Sequence, residues 1–184
     1  MLQSPQGSAS QDDEDDGCCY FSEEEEEDHD ALHPQCAAMY PPIDANSPIS
    51  RWAAMYDFSP FVTSVGTSYF ARLAARDAQL LSAARANPCW AAFVHNVTCE
   101  PTTMLRKPVG AAFHRALSDE HWLAAVHITC IYLAAKNCET LQYKRLLQTM
   151  LTHIHACPIS MDQAAALELE CLQALEWRLG PFFL

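Results

Sequence analysis

Glycine is scarce in this sequence, with five in 184 residues. A loop that cradles phosphates with its backbone amides needs several glycines close together, and no such loop is present. No run of 18 apolar residues without a charge occurs, so no transmembrane helix is expected. Lys and Arg are missing from residues 1–50, and the first base is Arg51. The chain as a whole has 11 bases against 23 acids, a net charge of −12. That balance excludes a generic nucleic-acid binder, because phosphate recognition needs a basic surface. The N-terminus runs from Met1 into acids without the basic flank and apolar stretch of a secretion signal. An intracellular protein of the nucleus or cytoplasm is therefore expected, with no membrane partner. In those compartments the nine cysteines read as thiols rather than as a disulfide framework.

The charge is unevenly spread. Thirteen acids, Asp12 through Asp44, fall in residues 1–50, which leaves 10 acids and all 11 bases for residues 51–184, a net of +1. Residues 1–44 are rich in Ser, Gln, Asp and Glu, and such chain buries too little apolar surface to offset its ordering entropy. They are expected to be a disordered acidic tail. Residues 47–183 form one domain of suitable length.

That domain reads as all-α. Ser50 is placed to cap a short helix over Arg51–Tyr56. Ser59-Pro60 starts a second, where Pro at the first helical position loses no hydrogen bond. Its stripe is Val62, Val65, Tyr69 and Leu73, and Ala-rich sequence carries it to about Ala86 before Asn87-Pro88. Residues 88–117, with Pro88, Pro101 and Pro108, read as an insertion with short helical pieces near Trp90–His95 and Ala111–Leu117. Ser118-Asp119-Glu120 opens a third core helix, apolar nearly all round from Trp122 to Lys136, as the centre of a bundle would be. A fourth spans about Leu141–Ile154, with Leu147, Met150, Leu151 and Ile154 inward. The fifth follows a Ser160–Gln163 capping box, carries Leu167, Cys171, Leu175 and Leu179 inward, and stops at Gly180-Pro181.

No catalytic set, metal or cofactor is expected. His153, His155 and Cys157 make an H-x-H-x-C cluster of zinc-ligating types. Spacing of two on a helix directs side chains apart, however, and no second ligand pair stands at a finger spacing. Cys18-Cys19 has no histidine partner. Cys130 and His127, three apart on the central helix, read as a buried thiol beside a core histidine. Two charges stand out instead. Lys136 closes the most apolar helix, and Glu168 lies between Leu167 and Leu169.

The segment from Leu123 through Ala134-Ala135-Lys136 to Glu139 is similar to the third helix of a cyclin box. Leu167-Glu168-Leu169-Glu170 through Trp177 and Leu179 resembles the fifth helix, and Tyr69-Phe70-Ala71-Arg72-Leu73 resembles the second, with Ala71 where an Asp is usual. Pro48-Ile49-Ser50 before a short first helix, together with Leu-Glu-Leu-Glu, resembles the P/U-type cyclins, relatives of the fungal phosphate-sensing cyclin. The resemblance covers residues 47–183. It implies a single five-helix cyclin box with a long insertion, 88–117, between helices two and three. It also implies a regulatory subunit that binds and activates a cyclin-dependent protein kinase and is not itself an enzyme. Lys136, Glu168 and Glu139 would contact the kinase. The alternative is a cyclin-fold adaptor that binds without activating. The substrate-docking Met-Arg-Ala-Ile-Leu motif of mitotic cyclins is absent. Ser22 before Glu23–Glu27, Ser4-Pro5 and Ser47-Pro48 are candidate phosphorylation sites.

Overall fold

The computed structural model describes residues 47–95, 97, 104–138, 146–155 and 158–180. The expected acidic tail, Glu139, Cys157, Ser4, Ser22 and the proposed start of the fourth helix at residues 141–145 lie outside them. The described residues are all-α: eight helices and no strand. None of the helices is long and apolar enough to cross a membrane.

The first helix, α1, spans Pro48–Met55. Its cap is Ser47 rather than the expected Ser50. The Ser47 hydroxyl accepts from the Ser50 amide at 3.1 Å, which leaves Pro48 at the first helical position, where a missing N–H costs nothing. Helix α2, Pro60–Ala74, starts at Ser59 as expected and buries Val62, Val65, Tyr69 and Leu73.

The expected continuation to Ala86 is corrected by Asp77. This buried carboxylate accepts at Oδ1 from the amides of Gln79 and Leu80, both at 3.0 Å. It thereby caps a separate helix α3, Ala78–Ala86. Asp77 Oδ2 accepts from the Val109 amide at 2.7 Å and so ties down the far end of the insertion. The insertion contains α4, Pro88–Val94, and α5, Ala111–Ala116, close to where short helical pieces are expected. Both are anchored in the core, through Trp90 and Val94 and through Phe113.

Helix α6, Asp119–Cys138, is buried from Trp122 through Ala135. A helix apolar on every side must be surrounded, and α6 packs against α2, α7 and α8. Its closest neighbour is α2, because Gly66 presents no Cβ at the crossing. A Cβ there would meet Ile131 Cα and lie 2.7 Å from the Ile131 nitrogen. Helix α7, Leu146–His155, turns Leu147, Met150, Leu151 and Ile154 inward. Helix α8, Met161–Ala174, begins with the expected capping box. Gln163 N donates to Ser160 Oγ at 3.1 Å, and Ser160 N donates to Gln163 Oε1 at 2.9 Å.

Helix α8 ends five residues before Leu179, where the apolar stripe predicts it to run. Arg76 donates to the Ala174 carbonyl at 3.0 Å and pairs with Glu176 at 2.8 Å. Glu176 and Trp177 take left-handed backbone conformations (φ 54° and 60°). Tertiary contacts satisfy the helix end without the glycine that such a turn favours.

Candidate functional site

The site is built on the last turn of α6 and the middle of α8. Lys136 Nζ donates to Glu168 Oε1 at 2.6 Å. The two residues are 32 apart in sequence, and helix packing brings them together. Their side chains are 46 % and 19 % exposed, so the pair lies at the surface with its carboxylate end partly sunk. The hydrogen bond from Glu168 raises the Lys136 pKa, against a smaller opposing effect of burial. One turn earlier, Tyr132 places its ring 5.4 Å from Lys136 Nζ, a cation–π contact. Burial, and then the Glu168 charge, raise the pKa of the Tyr132 hydroxyl. Leu169 follows Glu168 and is 45 % exposed. A single exposed leucine is ordinary at a protein surface, and as the next residue on the helix it points to a different side from Glu168.

The segment after α8 is held against the last turn of α6 and against α2. Asn137 Nδ2 donates to the Leu179 carbonyl at 2.9 Å, and the Tyr69 hydroxyl donates to the same oxygen. Trp177, held in its left-handed conformation, is 62 % exposed. Sequence reasoning missed Tyr132, Asn137 and Trp177. Tyr132 is hidden in an apolar run, and the Asn137 contact is a long-range bond from its side chain to a main-chain carbonyl, with no local signature.

Comparison of the chain with models of known protein families, with curated proteins and with solved structures finds no match.

The other polar groups are mostly absorbed by the fold. His127 is fully buried between α2, α4 and α6 and stacks on Phe70 with centroids 4.5 Å apart. Its Nδ1 accepts from Trp90 Nε1 at 3.2 Å, which leaves Nε2–H to donate to Thr67 Oγ1 at 2.9 Å. The Thr67 hydroxyl in turn donates a hydrogen bond to the Thr63 carbonyl at 2.8 Å. Burial lowers His127 to about 3, so it is a neutral structural linker. Cys130 is buried as expected. The Cys171 thiol is held well above its usual range by a hydrogen bond with Cys130 and then by burial, so Cys171 is protonated and inert at neutral pH.

Of the H-x-H-x-C cluster, His153 and His155 are described and they part company. His153 Nδ1 hydrogen-bonds the Tyr56 hydroxyl. His155 turns inward against Phe113 and His121. Among the described residues no group of three or more His, Cys, Asp or Glu side chains is placed to hold a metal ion.

Proposed function

We propose that this chain is a cyclin-type regulatory subunit and that residues 47–183 form a single cyclin box. On this reading the Lys136–Glu168 pair is the charged centre of a surface that docks a cyclin-dependent protein kinase. One observation carries the proposal. The two residues that resemble kinase-contacting positions of cyclins, far apart in the chain, meet on neighbouring helices at a partly exposed position. The central buried α6 and the capping box of α8 agree with the motif order that the resemblance rests on.

The chain does no chemistry in this reading. It binds the kinase's regulatory helix and pushes it inward, so that the kinase's own Lys–Glu ion pair forms around ATP. What it supplies is binding energy that differs between the two kinase states.

The test is co-purification with the kinase followed by a phosphorylation assay. It compares the wild type with Lys136→Glu plus Glu168→Lys. The exchange keeps an internal ion pair but inverts the charges offered to a partner. Disrupting a desolvated interfacial charge contact costs on the order of 2–5 kcal/mol, so the exchanged protein should fold and fail to bind. Undiminished binding overturns this interface. Binding without a rise in phosphorylation selects the adaptor reading.

A further inference from the structure

We propose that His121 and His155 form a two-histidine site for a divalent transition-metal ion of the zinc class, with the remaining coordination positions open to solvent. This inference does not depend on the kinase reading.

His155 closes α7 and is 7 % exposed, and neither of its ring nitrogens has a hydrogen-bond partner. These are the only such buried side-chain atoms among the described residues. Buried polar groups in native folds are almost always paired, so an orphaned imidazole needs an occupant or an explanation. Its ring neighbours are Phe113, which has no polar atom, and His121, whose centroid is 6.2 Å away at an interplanar angle of 77°.

His121 lies in the first turn of α6, exposed to solvent. Its Nδ1 is engaged by Ser118 Oγ at 3.0 Å. With Nδ1–H donated there, Nε2 keeps its lone pair, and ligating histidines are commonly oriented in this way. Two imidazoles sharing one ion at Zn–N distances of about 2.0–2.1 Å place their ring centres roughly 5–6 Å apart. The observed separation of the two ring centres, 6.2 Å, is close to that value. Glu120 and His121 line a surface hollow of about 140 Å³ that His155 does not line, so solvent and a nearby negative charge lie on the His121 side of the pair. Asp119 is instead occupied by His114, at 3.1 Å.

The H-x-H-x-C motif thus contributes one ligand. The spacing argument holds for His153, which is turned away to Tyr56, and the second imidazole comes from another helix. Imidazole donors suit Zn²⁺, Cu²⁺ and Ni²⁺.

The experiment uses the full chain and Zn²⁺ alone. Wild type, His121→Ala and His155→Phe are titrated in competition with a chromogenic chelator and then melted with and without Zn²⁺. Phe fills the His155 site and removes the two orphaned nitrogens, so that variant should fold. The chain's other thiols and imidazoles contribute equally to all three proteins, and the difference between them is the readout. Wild type should bind one more Zn²⁺ than either variant, and Zn²⁺ should raise the melting temperature of wild type more than that of either variant. Loss of either ligand should weaken that site by at least roughly tenfold, the lower bound seen when even an outer partner of a metal ligand is removed. Equal stoichiometry and equal thermal shifts overturn the site. A loss confined to one variant overturns the sharing of one ion by the two histidines.

Discussion

Gly66 and Ile131 bring the backbones of α2 and α6 together where no Cβ can stand between them. A Cβ on residue 66 would lie 2.7 Å from both the nitrogen and the Cγ1 of Ile131. In an exposed helix, Gly→Ala gains about 0.5–1 kcal/mol. Here the added methyl meets main chain, and overpacking of a tight core costs typically about 1–3 kcal/mol. Gly66→Ala should therefore destabilise the domain by roughly 1–2 kcal/mol in chemical denaturation. A stabilised variant would show that the crossing is looser than described.

The Lys136–Glu168 pair should matter little to stability. It is partly exposed, and such pairs contribute about 0–1 kcal/mol. Glu168→Gln keeps the shape and one acceptor, so its unfolding midpoint should stay close to wild type. Its affinity for a kinase partner should fall by far more than its stability does. Equal changes in the two measurements would mean that the pair serves the fold alone.

Stability should fall in mild acid. His127 sits at about 3 in the folded protein against an ordinary value of 6.5, so the unfolded chain takes up a proton that the native state refuses. The full contribution is present above about pH 7 and is lost progressively as pH drops through 6.5 towards 3. At pH 5 the loss from His127 alone is about 2 kcal/mol, by the linkage relation. His155, lowered to about 4, adds in the same direction. Denaturation midpoints at pH 7.5 and pH 5 check this, and equal midpoints would contradict a neutral buried His127.

Asp77→Ala removes three amide contacts together. The cap of α3 is worth typically about 1 kcal/mol, and an amide left buried and unpaired costs about 1–3 kcal/mol. The expected loss is roughly 2–4 kcal/mol. Hydrogen exchange should accelerate at Val109 as well as at Gln79 and Leu80, because one carboxylate serves both stretches. Acceleration confined to Gln79 and Leu80 would leave Val109 held by something else.

The readable parts of the fold were those with a local cause. Ser59-Pro60 and the Ser160–Gln163 box carry their hydrogen-bond partners within four residues. The apolar girth of α6 states its central position directly. The start of α1 was misplaced although its cap, Ser47, has its partner three residues on, whereas two other misread boundaries have causes that are partly or wholly distant. The break at Asp77 depends partly on Val109, 32 residues on, and the end of α8 depends on Arg76, 98 residues back. Periodicity contains neither. The pairing of Lys136 with Glu168 was equally invisible to spacing, and only the family resemblance singled out those two residues. His155 was seen as a metal-type residue, but its neighbour His121 comes from the packing of α7 against α6.

Tyr69 and Asn137 both hold the main-chain carbonyl of Leu179, not its side chain. The grip is thus blind to which residue stands at 179, provided it offers some apolar bulk to the core it partly covers. Substitutions at 179 should drift freely among aliphatic residues over evolutionary time. Positions 69 and 137 have no such latitude, because each bond to that oxygen needs a side-chain donor of the right reach.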